Sequence, residues 1–303
     1  MQFGGAGKPS LGVVYDTDFG NTIDGPLGLA LLYGLQGKNE SRVVSVTTTR
    51  PTIASATFAD ILVRFYTGEP GGFFGAQAIG MATSGGKAED TPMLTAVLAK
   101  PYSRGVKKLN DTADPVATIR NALSAQFEQN AVVVLSGPAT NLNGLLDLPE
   151  GKNLIARKVK LLAVGSFDAS AKRLFAEWPT PIVVVPKETG VALPFPAASM
   201  DKEFATVPAH PIVDAWRASG GKDAPSWALV AGLYAVRPQE NYFKLSEPGT
   251  IAITADGTAK FTPSADGKHR NLLPDPAQKD KVLAAFVELA STKAVPRRGR
   301  RGG

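Results

Sequence analysis

The stretch Val13-Val14-Tyr15-Asp16-Thr17-Asp18-Phe19-Gly20-Asn21-Thr22-Ile23-Asp24 decides how this chain reads. The apolar run Leu11 to Tyr15 predicts a short buried strand, and three carboxylates then arrive within nine residues, where that strand ends. Gly20 permits a tight turn, Asn21 and Thr22 can bond back to the backbone, and Pro26 suits the first turn of a helix over Pro26 to Gly34. In an open parallel sheet, ligands bind beyond the carboxyl ends of the strands, so these carboxylates point into the expected crevice. A lone Asp here would read as a turn residue or, at Asp24, as a helix N-cap. Three in one loop require an offsetting cation or protonation.

Outward from this loop, apolar runs alternate with amphipathic ones. Arg42 to Thr48 is strand-like through its β-branched residues, and Ile53 to Tyr66 carries apolar side chains at helical spacing. Further strands are predicted at Ala131 to Ser136 and Lys158 to Val164. Helices are predicted at Met93 to Leu98, Ala169 to Trp178, Ile212 to Ser219 and Asp275 to Ala290. Asp114 to Gln126 reads as a helix capped by Asp114 with Pro115 in its first turn. Gly68 to Gly86 reads as a loop around a short strand at Phe73-Phe74, and Gly249 to Thr262 as a hairpin turning at Asp256-Gly257. His210 reads as a surface residue at a helix start, and His269 as a hairpin residue. The fold class is therefore α/β: an open, mostly parallel twisted sheet with helices on both faces and a small C-terminal β-hairpin region. The expected organisation is a flexible segment 1–10, a single domain 11–292 and a basic disordered tail 293–303.

Composition narrows the function classes. The chain has 303 residues, 44% of them apolar, and no cysteine, so disulfides, thiolate metal sites and a cysteine nucleophile are excluded. Its net charge of +6 invites a nucleic-acid reading. Arg297, Arg298, Arg300 and Arg301 carry four of those charges, which leaves +2 on the body. Without interleaved aromatics the tail reads as a solvated terminus, and nucleic-acid or surface binding through it ranks last. No apolar run approaches the span of a bilayer, and Met1 to Ser10 lacks signal-peptide character, so a soluble protein is expected and its compartment is left open.

The loop Asp16 to Gly25, followed by Leu27-Gly28-Leu29-Ala30-Leu31-Leu32, resembles the N-terminal signature of the inosine-uridine-preferring nucleoside hydrolases. Ser136-Gly137-Pro138-Ala139-Thr140-Asn141, Trp178-Pro179-Thr180-Pro181 and the Ser226-Trp227 helix extend the resemblance, in family order, from Leu11 to about Arg270. It implies a Rossmann-like core and hydrolysis of the N-glycosidic bond of ribonucleosides by water on a tightly bound calcium ion. It implies Asp18 as base and metal ligand, the Ser136 backbone carbonyl as metal ligand, and Asp24 as a contact to sugar hydroxyls. Asp16, Asn21, Asn141, Asp168 and Trp227 complete the candidate binding set.

The chain departs from the pattern at several points. Gly25 and Ala228 stand where metal-binding Asp is expected, Thr49-Arg50-Pro51-Thr52 lacks a sugar-binding Asn, and the connection after Asp168 is short. Calcium takes six to eight oxygens, so the site reads as incomplete and catalysis as impaired or lost. The alternative is an active N-glycosidase built on a rearranged cluster of Asp16, Asp18 and Asp24 with Asp168 or Asp223, with or without metal. The expected partner is a nucleoside or sugar-like small molecule, with no specific nucleic acid and no membrane; the family tends to form dimers or tetramers.

Overall fold

Every residue of the strand Leu11–Thr17 (β1) is buried, as happens when a strand lies in mid-sheet with helices on both faces. The structure, a computed structural model, describes residues 9–68, 78–205, 207–254 and 258–292. The chain continues through α1 (Asp24–Gly37), β2 (Ser41–Thr48), α2 (Ile53–Thr67), β3 (Ile79–Met81), α3 (Pro92–Leu98), α4 (Pro115–Ser124), β4 (Ala131–Ser136) and α5 (Thr140–Asp147). Next come α6 (Gly151–Lys158), β5 (Val159–Val164), α7 (Ala171–Glu177), β6 (Ile182–Val184), α8 (Lys187–Ala192), α9 (Ala198–Lys202), α10 (Pro211–Ala218) and α11 (Trp227–Val236). The remainder is β7 (Phe243–Leu245), β8 (Gly249–Ile253), β9 (Ala259–Pro263), β10 (His269–Pro274) and α12 (Lys279–Ser291).

The strands form one sheet in the order β3-β2-β1-β4-β5-β6-β10-β8-β9, with β7 also paired to β10. From β3 to β10 all neighbours are parallel; β7, β8 and β9 are added antiparallel. The chain thus starts in the middle, winds outward to β3, then returns to β4 on the other side of β1. This reversal opens a crevice at the carboxyl ends of β1 and β4.

Alternation along the strands sends side chains into two cores. Val13 and Tyr15 of β1, with Val132 and Val134 of β4, pack under α1, α2, α11 and α12; Val14, Val133 and Leu135 pack under α4, α5 and α7. Local signals set the helix starts. The Asp114 carboxylate accepts the Ala117 N–H at 2.7 Å, the Thr52 hydroxyl accepts that of Ser55 at 3.2 Å, and Gly68, at φ 76°, ends α2.

Three sequence expectations change. His210 does cap α10, accepting the Ile212 N–H on Nδ1 at 3.2 Å, but it is buried against Phe65 and Phe204 rather than on the surface. His269 is no turn residue; it opens β10, which inserts beside β6, and it accepts the Ile251 N–H at 2.8 Å. The first helix begins two residues earlier than Pro26 and reaches Gly37. The strand expected at Phe73-Phe74, the turn at Asp256-Gly257 and the tail 293–303 lie outside the described residues. No helix among the described residues is long and apolar enough to cross a membrane.

Candidate ligand crevice at the ends of β1 and β4

The two central strands are tied together where they end. The Ser136 carbonyl accepts the Thr17 hydroxyl at 2.7 Å and the Asp18 N–H at 3.0 Å, and the Thr17 carbonyl accepts the Thr49 N–H at 3.0 Å. Above this knot lies a crevice of about 400 Å³. Thr17, Asp18, Asn21, Thr22 and Gly25 wall it from the first loop, and Lys87 from the segment after β3. Ser136, Gly137 and Pro138 close it after β4, and Ser166, Phe167 and Asp168 after β5. Ser136 and Ser166 share a hydroxyl hydrogen bond of 2.9 Å across the gap between β4 and β5.

Of the sequence-predicted residues, Asp18, Asn21, Ser136 and Asp168 meet on this wall. Asp168 both faces the crevice and organises its own loop, its Oδ1 accepting the Ser170 N–H at 2.9 Å as well as the Ser170 hydroxyl.

Asp16, Asp24, Asn141 and Trp227 are not part of that wall. Asp16 is fully buried; its Oδ1 accepts the Thr47 hydroxyl at 2.6 Å and the Asn141 amide at 2.9 Å, while Oδ2 has no partner among the described residues. Burial pushes its carboxyl up to about 7, against the lowering effect of those two donors. Asn141 also donates to the Thr48 carbonyl at 3.2 Å and so is a strut beneath the crevice. Asp24 bonds the start of α11 instead: its Oδ2 accepts the Ala228 N–H at 2.7 Å and its Oδ1 that of Leu229 at 3.3 Å. Burial raises it to about 7 as well, opposed by the helix N–H groups. Trp227 packs its indole on Gly190 and donates Nε1–H to the Lys187 carbonyl at 3.2 Å.

The residue missed in the sequence is Arg50. Its Nε donates to Asp18 Oδ1 at 2.8 Å, its Nη2 to Oδ2 at 3.3 Å, and its Nη1 to the Glu89 carbonyl at 2.6 Å. Arg50 is 1% exposed and the Asp18 side chain 11%. A signal existed: a cation directly after a β-branched strand, next to an acidic strand end, needs a partner. Which carboxylate that would be depends on the β1–β2 pairing, which brings Thr17 beside Thr48. Among the described residues, no three His, Asp or Glu side chains are grouped so as to hold a metal ion.

No family model matches this chain, and no curated protein does. Several solved structures share its fold. An inosine-guanosine nucleoside hydrolase is similar with TM-score 0.70 and 13% identity, over 92% of this chain and 98% of that one. The inosine-uridine-preferring nucleoside hydrolase from Bacillus anthracis gives 0.66 and 13%, over 93% and 99%. The type III effector XopQ, solved with adenosine diphosphate ribose, gives 0.64 and 12%, over 94% and 95%. The chain therefore has a nucleoside-hydrolase-like fold over nearly its whole length.

Proposed function

We propose that this chain binds a nucleoside or another ribose-bearing small molecule in the β1/β4 crevice, without a tightly held calcium ion and without the hydrolytic turnover of the enzymes it resembles. The observation that carries the reading is the Asp18–Arg50 pair. Asp18 Oδ1 already takes Arg50 Nε and the Gly20 N–H at 2.9 Å, and Oδ2 takes Arg50 Nη2. The Ser136 carbonyl has two donors on its oxygen. Gly25 offers no carboxylate, and Ala228 presents a backbone N–H that Asp24 occupies. A hard divalent cation needing six to eight oxygens does not fit this donor set.

What the crevice does offer is suited to a polyhydroxylated ligand. Asn21, Thr22, Ser166 and Asp168 supply donors and acceptors, and Phe167 an apolar surface for a base. The similarity to XopQ, solved with a ribosyl nucleotide, supports a ribosyl ligand. Hydrolysis, by contrast, needs an activated water as well as stabilisation of a cationic sugar. Asp18 has its charge balanced by Arg50, and Asp16 and Asp24 are engaged elsewhere.

A second reading, a metal-free N-glycosidase, draws on Asp18 and Asp168 lining one crevice. Calorimetric titration with inosine, uridine and adenosine diphosphate ribose in EDTA, and ribose release with and without millimolar calcium, separate the readings. We expect saturable binding in EDTA, weakened about tenfold in Asp168→Ala, and no ribose release. Calcium-dependent release abolished by Asp18→Asn overturns the proposal, and calcium-independent release lost in both variants establishes the second reading.

A further inference from the structure

Arg50 reaches Asp18 from the end of β2, buried behind the crevice wall, and the chain around it is shaped to its guanidinium. A Cβ at position 20 would lie 2.5 Å from Arg50 Nε and 2.8 Å from its Cδ, so the space beside Gly20 is filled by the arginine. The same glycine's N–H adds to the carboxylate that the arginine holds. On its far side the guanidinium donates to the Glu89 carbonyl at 2.6 Å, which ties the segment following β3, where Lys87 faces the crevice, to Asp18. Removing two charges from water is unfavourable unless each finds its counter-charge in good geometry, and here a planar fork spans both carboxylate oxygens.

We infer that Arg50 is the resident counter-cation of Asp18, buried behind the crevice wall: its guanidinium supplies Asp18 with positive charge from within the chain and, by taking both carboxylate oxygens and the Glu89 carbonyl, bars a divalent ion from them. The inference rests on the calcium-free reading above and names the group responsible for it. It also makes the exclusion of a divalent ion a property of one side chain, rather than only the sum of missing carboxylates at positions 25 and 228. Without the guanidinium, Asp18 Oδ1, Asp18 Oδ2 and the Glu89 oxygen would surround a vacated space with a net negative charge and room for water. Oxygen ligands, negative charge and retained water are what a hard divalent cation takes.

The test is a set of single substitutions read by calcium titration calorimetry and by thermal unfolding in EDTA and in millimolar calcium. The wild type and Arg50→Lys, which keeps the charge, should show no calcium binding and no calcium-dependent shift. Arg50→Ala and Arg50→Gln should melt lower in EDTA and regain about 3–6 °C in calcium, saturably, because binding to the folded state alone stabilises it. The double variant Arg50→Ala with Asp18→Asn should lose that gain. If neither Arg50→Ala nor Arg50→Gln gains from calcium, whether folded or still unfolded in its presence, the inference falls and the calcium-free reading stands. If the wild type itself binds calcium with Arg50 in place, the calcium-free reading falls first.

Discussion

At the scale of single residues, the loop Asp16 to Asp24 contains three carboxylates with three different fates. Asp18 stays at the crevice, held by a guanidinium; Asp24 leaves it to bond a helix; Asp16 sinks into the sheet with one oxygen unpartnered among the described residues. Asp16 makes a pH prediction. Its carboxyl is raised from the ordinary carboxylate range to about 7 by burial. A group raised in the folded state contributes stability that is complete below the unfolded value and is lost as pH rises through the folded one. Stability should therefore increase as pH is lowered from about 7.5 to 5, by on the order of 1 kcal/mol per pH unit for this group. Asp24, raised to about 7, adds a slope of the same sign. Urea unfolding at several pH values checks this: Asp16→Asn, which keeps an acceptor for Thr47, should flatten the profile, and an unchanged slope would remove Asp16 as its origin. None of these fates was legible from the loop alone. Carboxylates at positions 16, 18 and 24 look alike in sequence, and their neighbours Thr47 and Arg50, at the end of β2, and Ala228, in α11, lie on two other segments.

At the scale of elements, α11 is a helix whose first N–H groups are capped from outside its own sequence. Ser226 precedes Trp227 as an N-cap should, yet its hydroxyl bonds the Ala224 carbonyl at 3.4 Å and makes no cap. The orphan N–H groups of Ala228 and Leu229 are satisfied instead by Asp24, 204 residues away from Ala228. A carboxylate at a helix N-terminus also meets the positive end of the helix dipole. This helix is apolar around its circumference and buried between α1 and the sheet, so water cannot replace the lost cap. Asp24→Ala should accordingly cost about 2–3 kcal/mol in chemical denaturation, whereas Ser226→Ala should cost less than about 1 kcal/mol. Equal losses would mean that the serine shares the capping. Helices α2 and α4 are the opposite case. Thr52 and Asp114 cap them from the adjoining position, and both helices were placed in sequence to within two residues.

At the scale of the molecule, the sheet order puts β1 and β4 in the centre and the β8–β9 hairpin at an edge. Every residue of β1 and β4 is buried, while β9 is largely exposed. Stability is unevenly distributed in such a structure, because local opening requires little where few apolar contacts must break. Native-state hydrogen exchange should find the amides of Val13 to Tyr15 and Val132 to Val134 protected to the global limit. Those of Thr250 to Ile253 and Lys260 to Thr262 should exchange several orders of magnitude faster. Uniform protection would show that the hairpin unfolds only with the whole sheet.

The alternating pattern of apolar and amphipathic runs was enough to identify an α/β chain with a parallel sheet and an acidic first strand end, because side-chain periodicity and the crossover requirement are local consequences of backbone geometry. The resemblance of the Asp loop and the Gly-Pro-Ala-Thr-Asn turn pointed to the nucleoside-hydrolase-like fold that the solved structures share. Tertiary structure alone decided that β10 joins the sheet beside β6, that Asp24 serves a distant helix, and that Arg50 takes Asp18. Each of these depends on which segments the fold brings within about 3 Å of one another, and a hydrogen bond or an ion pair acts over that range regardless of separation along the chain.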